Sequence, residues 1–158
     1  MLGCRCAVTG APGGVEMSSL SSRFVSGTEF ESYEDFNENL KIIVPGNFNF
    51  AFDVVDVYAK EDPKKIALVW CNELGEEKVL SFGELKLQSD RAANLFKNCG
   101  VGKGDCVMLT LKGRYDFWIA MVGLHKIGAV AIPATHMLRA KDVAYRINKA
   151  KLKINKAY

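Results

Sequence analysis

Apolar residues are densest between positions 105 and 136, where DCVMLTLKGRYDFWIAMVGLHKIGAVAIPATH reads as strand, helix and strand with short connections. Cys106 to Leu111 (CVMLTL) is too apolar for a strand with one wet face, so it predicts a strand covered on both sides, as in parallel sheets. Tyr115 to Ile127 follows with Asp116, His125 and Lys126 as its strongly polar members. Most of that helix should therefore be buried, with Trp118, Met121 and Val122 between sheet and neighbouring helix. Gly128 supplies the left-handed residue that stops a helix, and His125 and Lys126 sit near the negative end of its dipole. Ala129 to Ile132 is the second strand. Parallel strands joined through a helix imply a right-handed crossover, and Pro133 marks where the second strand leaves the sheet.

Upstream, Phe48, Phe52, Val55, Tyr58 and Ala59 recur at helical spacing, and Asp62-Pro63 ends that amphipathic helix. Ile66 to Cys71 and Lys78 to Phe82 read as a hairpin around the turn Asn72 to Gly75. Ser81-Phe-Gly-Glu84 has capping-box spacing, in which the serine oxygen and the glutamate side chain each satisfy a free amide at a helix start. The helix it opens should bury Leu85, Ala92, Leu95, Phe96 and Cys99, hold Glu84, Lys86, Asp90, Arg91 and Lys97 in water, and stop at Gly100. Arg139 to Ala150 shows a further helical face of Val143, Ile147 and Ala150, and Lys153-Ile154 could open another strand. Three parts result: residues 1–16, small, polar and glycine-rich, as a disordered or upstream extension; residues 17–47 as a Ser-rich, then acidic, N-terminal arm; and residues 48–158 as a truncated α/β part.

Composition narrows the function. The chain of 158 residues is 49% hydrophobic and 25% charged, enough for one domain with a real core. Its net charge of +3 is mild, and the basic cluster of Lys149, Lys151, Lys153 and Lys156 lacks aromatic interleaving, so no nucleic-acid role is expected. Phe117 to Leu124 carries no charge, but about 20 apolar residues are needed to cross hydrocarbon. No membrane span is expected. Five cysteines without regular spacing, with Cys71, Cys99 and Cys106 in apolar segments, read as buried thiols of a reducing compartment, hence the cytoplasm. Cys4-Arg-Cys6 is far in sequence from His125 and His136, so no metal site is expected.

The glycine-rich stretches are poor phosphate cradles. Ala7 to Gly14 resembles a strand entering a phosphate turn, yet Val15 to Arg23 continues it weakly as a helix. Val25 to Glu29 contains Ser-Gly-Thr without a following lysine. Gly100 to Asp105 lies after a helix and before a strand, the wrong orientation for amides to face an anion, and reads as a connection.

SFGELKLQSDRAANLF, GVGKGDCVMLTLKGRYDFWIAMVGLHKIGAVAIPATHML and KDVAYRI together resemble the N-terminal part of the AMP-forming acyl-CoA synthetases. The resemblance covers about residues 17 to 152 in order and spacing and is greatest to the bacterial medium-chain branch of that adenylate-forming superfamily. It implies an α/β fold: the partial N-terminal subdomain of an adenylate-forming enzyme, a mostly parallel sheet with flanking helices and an N-terminal helical arm. Such enzymes use ATP, Mg and coenzyme A to convert a carboxylic or fatty acid first to an acyl-adenylate and then to a thioester. Met17-Ser-Ser-Leu resembles a normal family start. The family's phosphate loop, its adenine- and ribose-binding motifs and its C-terminal domain with the catalytic lysine would follow residue 158, so the resemblance implies a truncated chain with no catalytic residue, no bound cofactor and no activity alone. Thr135, His136 and Met137 are the inherited site residues, in the loop that relatives bring near the pantetheine and acyl channel. The implied partner is the remainder of the synthetase, and an exposed sheet edge implies self-association. Two other readings stand beside this one: a freestanding α/β interaction module without catalysis, and a nucleotide-binding protein using the glycine-rich start.

Overall fold

The computed structural model describes residues 20–27 and 29–152. The expectations for residues 1–16, the Cys4–Cys6 pair and the Lys153-Ile154 strand lie outside the described residues. Two compact units divide at Pro45 and Gly46. In the first, a single antiparallel bridge joins Val25 to Ile42. Ser26 Oγ fastens it, donating to Asn39 O at 2.7 Å and accepting from Lys41 N–H at 2.8 Å. Helix α1, Tyr33–Asn39, starts at Ser32, whose Oγ accepts from Asp35 N–H. Asp35 takes the Glu31 amide at 2.8 Å and the Asn39 side-chain amide at 2.7 Å, and these donors hold its carboxyl below the ordinary value.

The second unit contains α2 (Asp56–Glu61), β1 (Ile66–Cys71), β2 (Glu77–Ser81), α3 (Phe82–Asn98), β3 (Cys106–Leu109), α4 (Asp116–Lys126), β4 (Val130–Pro133) and α5 (Ala140–Ala150). β1 and β2 form an antiparallel hairpin, and β3 and β4 a parallel pair in register from Cys106 opposite Val130 to Leu109 opposite Pro133. The α/β class and both pairings match the sequence expectation, and among the described residues parallel pairing is confined to β3 and β4.

Most local signals act as read. Ser81 Oγ accepts from Glu84 N–H at 3.2 Å while Glu84 accepts from Ser81 N–H at 2.9 Å, completing the capping box. Asn72 Oδ1 accepts from Leu74 and Glu76 amides to close the hairpin turn, where Gly75 has positive φ. Gly128, at φ 69°, lets Ala129 N–H reach back to Leu124 O at 3.0 Å and so ends α4. Pro133, lacking an N–H, is the last residue of β4.

Two clusters form the core. One gathers Ala51, Val55, Leu80, Leu85, Ile119 and Val122; the other gathers Ala93, Leu109, Leu124, Ile127 and Ala129. Helix α4 contributes to both, which is why so much of its circumference is apolar. Leu80 and Leu124 are fully buried, each worth about 2–3 kcal/mol relative to an exposed position. Gly123 brings α3 and α4 close: a Cβ there would meet Ala92 Cβ at 2.9 Å and the Ala93 N and Ser89 O backbone atoms at 3.1 Å.

Several burial expectations are corrected. Trp118 is half exposed, while Val122 is buried and Met121 half-buried, because the Ile119–Val122 side of α4, not the Trp118 side, faces the core. On α3 the inward stripe is Leu85, Ser89 and Ala93 with Ala92 and Phe96 partly buried; Leu95 and Cys99 are on the wet side. Cys71 is also exposed and Cys106 only half-buried, so the thiols are not core residues. Before α2 the backbone makes a π turn, Ala51–Val55, which rotates Ala51 and Val55 inward and leaves Phe48 and Phe52 exposed. β3 is shorter than expected, ending at Leu109, and the residues on its second face are half-buried. Val107 and Leu109 pack on the helical core, whereas Cys106 and Met108 alternate to the other face. On α5 the Val143, Ile147 and Ala150 face is half-buried, opposite the exposed Tyr145.

Candidate functional site

Parallel strands end together, and the loops leaving their carboxyl ends enclose a crevice where α/β proteins place ligands. Here the loop after β3 and the loop after β4 open a cleft of about 400 Å³ lined by Leu111, Gly113, Arg114, Phe117, Trp118, Pro133, Ala134 and Thr135. The ladder is extended at its mouth by Ala134 N–H donating to Leu109 O at 2.9 Å.

Each wall has a structural cause. Gly113 has φ 55°, a left-handed conformation that favours glycine, and its carbonyl accepts from the Trp70 indole N–H. Trp70 also packs edge-on to Tyr115 at 5.5 Å, so the hairpin holds the loop that enters α4. Arg114 Nε donates to Asp116 Oδ2 at 2.7 Å, which raises the guanidinium's already high pKa and keeps its charge at the rim. Phe117 and Trp118 stand edge to face at 5.3 Å and give the cleft its aromatic side. Across from them, Thr135 Oγ1 accepts from Met137 N–H at 3.2 Å, turning the chain toward α5.

Of the three residues singled out from sequence, Thr135 lines this cleft, while His136 and Met137 are exposed on the same turn and do not line it. Leu111, Gly113, Arg114, Phe117 and Trp118 were not singled out as site residues. The signal was present: the loop KGRYD follows the carboxyl end of a predicted parallel strand.

A second cluster was also missed. Lys126 Nζ, with its side chain 4% exposed, lies 2.8 Å from Asp56 Oδ1 and 2.6 Å from Asp90 Oδ1. Lys86 Nζ binds the other oxygen of Asp90 at 2.8 Å. Burial pushes the Asp90 carboxyl up, but the hydrogen bonds from Lys126 and Lys86 outweigh it and leave its pKa below the ordinary value. The Asp90 bond in turn raises Lys86. Asp90 and Lys86, expected in water, thus join α3 to α2 and α4. Both carboxylates are neutralised by the lysines, and among the described residues no three His, Cys, Asp or Glu side chains converge on a metal position. His125, next to this cluster, is lowered by burial and is therefore neutral near pH 7; its Nδ1 is buried without a partner.

The Gly100–Asp105 connection is not a phosphate cradle. In the Gly100–Asp105 connection, Gly102 N–H donates to the Asp105 carboxylate at 2.9 Å and Gly104 N–H to Gly128 O at 2.9 Å. Those amides are committed within the fold, and the segment leads into β3 instead of a helix.

Residues 55–155 match the AMP-binding enzyme family. The chain belongs to that family. Among curated AMP-binding relatives, it is 34% identical over 145 residues to the human acyl-coenzyme A synthetase ACSM3, mitochondrial, covering 88% of this chain and 25% of the relative. It is 40% identical over 116 residues to mouse acyl-coenzyme A synthetase ACSM5, mitochondrial, covering 70% of this chain and 20% of that protein. The chain thus spans about a quarter or less of these relatives' length. Among solved structures, a Mycobacterium tuberculosis fatty acyl CoA synthetase superposes with TM-score 0.60 at 24% identity, over 66% of this chain and 20% of that one. A fatty acid AMP ligase from Legionella pneumophila gives 0.59 at 23% identity, over 65% and 18%. At that identity the superpositions establish the AMP-binding fold of this region. No helix among the described residues is long and apolar enough to cross a membrane.

Proposed function

We propose that this chain is the N-terminal part of an AMP-forming acyl-CoA synthetase, an enzyme that activates a carboxylic acid with ATP and Mg to an acyl-adenylate and then transfers the acyl group to coenzyme A. The observation that carries the reading is the family match over residues 55–155, which contains the whole cleft at the carboxyl ends of β3 and β4. In this reading residues 17–47 are an arm and 48–158 the α/β part. The cleft is one wall of the acyl and pantetheine channel: Leu111, Phe117, Trp118 and Pro133 offer apolar contact, and the Thr135–His136–Met137 turn borders the path to the thiol.

The same reading makes these residues inactive by themselves. Adenylation requires a triphosphate to be gripped and its charge neutralised. In the Gly100–Asp105 turn the amides of Gly100, Gly102 and Gly104 are occupied, and no Ser/Thr/Gly-rich loop with a following lysine occurs in the sequence. The partner is therefore the remainder of the synthetase. The odd number and irregular spacing of the cysteines support a reducing compartment, the cytoplasm; the mitochondrial names of the curated relatives favour a mitochondrial location as a second reading.

ATP–pyrophosphate exchange with short, medium and aromatic carboxylic acids tests this, on the chain alone and mixed with a polypeptide supplying the remainder. No exchange alone and exchange in the mixture is the expected result, with His136→Ala weakening the coenzyme A step more than adenylation. Exchange by the chain alone overturns the inactive-part reading, and equal loss in both half-reactions removes His136 from the channel.

A further inference from the structure

Asn49 joins the start of the π turn Ala51–Val55 to the end of α4. Its Oδ1 accepts from Ala51 N–H at 3.0 Å and its own N–H donates to Asp53 Oδ2 at 2.7 Å, while its Nδ2 crosses to His125 O at 2.7 Å. Phe50, the next residue, meets the His125 ring edge to face at 6.4 Å. Phe48, Asn49 and Phe50 share a surface hollow of about 260 Å³ with His125, Gly128 and Ala129. Under these contacts His125 Nδ1 is sealed from water and has no hydrogen-bond partner. All of these groups belong to the second unit.

We propose that His125 is an acid-released latch: once its ring is protonated, Phe48–Phe50 lifts from the end of α4 so that water reaches Nδ1, and the Asn49–His125 bond is given up. A neutral ring can carry its proton on Nε2 and leave Nδ1 as a bare acceptor, whereas the imidazolium places an N–H and part of a positive charge at the sealed position. The charged groups on the surrounding elements do not answer that N–H. Asp53 in the π turn is bonded to Asn49, Asp56 on α2 and Asp90 on α3 to Lys126, and Asp105 before β3 to Gly102 N–H. Lys126 beside the ring and Lys103 against Gly128 add only like charge. β4 brings no charge. The direction follows from burial, which lowers the His125 value in the closed state below that of a solvated histidine. The latch is therefore closed above the solvated value, near about 6.5, and weakens as pH falls below it.

The test is amide hydrogen exchange of the full chain at about pH 7.5 and about pH 5.5, corrected for the intrinsic exchange rate at each pH. The reporters are the Ala51, Phe52 and Asp53 amides, whose acceptors are all on Asn49. At the lower pH they should open between about threefold and about tenfold more often, the upper bound being set by one pH unit below the open-state value, while α3 keeps its protection. His125→Leu and His125→Gln, one apolar and one polar but neither titrating, should each abolish that gain; the glutamine variant serves if the leucine variant does not fold. Asn49→Ala should raise exchange at both pH values. His136→Gln, which removes the other histidine of the chain, should behave as the parent. A parent with equal protection at the two pH values overturns the proposal. So does a gain that persists in His125→Gln or disappears in His136→Gln, an Asn49→Ala protein with intact protection, or protection that increases on acidification, which would show the negative end of α4 outweighing burial.

Discussion

Replacing Lys126 by methionine removes one charge from the centre of the ion cluster and leaves the aliphatic volume nearly intact. The ammonium is all but sealed from water and bonds a carboxylate on each of two other helices, Asp56 at the start of α2 and Asp90 in α3. Without it, those carboxylates face each other with Lys86 alone, 2.8 Å from Asp90 and 4.0 Å from Asp56. Breaking a fully buried pair costs about 3–5 kcal/mol, and an exposed pair about 0–1 kcal/mol. Asp56 and Asp90 side chains are 20% and 40% exposed, so water can partly solvate them after the change and the expected loss is between these limits. We expect about 2–3 kcal/mol, read as a shift of the urea midpoint at unchanged slope.

Two further measurements isolate the charge from packing. Lys126→Met with Asp90→Asn should recover about 1 kcal/mol of the loss, since one unpaired carboxylate has gone. The pH dependence has a definite sign. Asp90 is depressed in the folded state, so its contribution is present above its unfolded pKa and is lost as pH falls through the lower folded value. The gap between parent and Lys126→Met should therefore close as the pH drops below the carboxylate range, near about 4. A Lys126→Met protein melting within about 0.5 kcal/mol of the parent at pH 7, or a gap that is constant with pH, would refute the ionic reading.

Ser81→Ala should cost about 1 kcal/mol, measured by thermal melting, because Ser81 Oγ is the acceptor for the Glu84 amide at the start of α3; an unchanged melt would show that the cap is not stabilising. Leu124→Ala should cost about 3–5 kcal/mol, while Trp118→Ala should cost only about 1 kcal/mol because that side chain is 52% exposed in the cleft; urea unfolding that ranks them in the opposite order would displace Trp118 from the cleft wall.

Signals that act within a few residues were legible. The capping box at Ser81, the stop at Gly128 and the last strand position at Pro133 each depend on one residue's backbone or side chain satisfying its neighbours, and each is where the sequence points. Signals that need a partner were not. Asp90 and Lys86 have the composition of a wet helix face, and only the arrival of Lys126 from α4 and Asp56 from α2 makes them members of an ion cluster that joins three helices. Phe48 and Phe52 carry the stronger apolar pattern before α2, yet the π turn gives the inward positions to Ala51 and Val55. A turn with one additional residue shifts every later side chain around the axis, and periodicity counted at 3.6 residues cannot register it.

The cleft was hidden by a related ambiguity in α4. Ile119 and Val122 enter one core cluster and Leu124 and Ile127 the other, so a run of apolar residues on nearly every side is what packing alone demands. Phe117 and Trp118 continue that run, and their side chains are as apolar as those of the core. What distinguishes them is position: they occupy the first turn of the helix, immediately beyond the carboxyl end of β3, where the Pro133–Thr135 segment leaving β4 faces them. Hydrophobic periodicity carries no information about which end of a parallel strand a residue follows, whereas the crevice at that end is a consequence of the crossover itself. Reading topology before periodicity assigns Trp118 to the cleft and Val122 to the core from the same sequence.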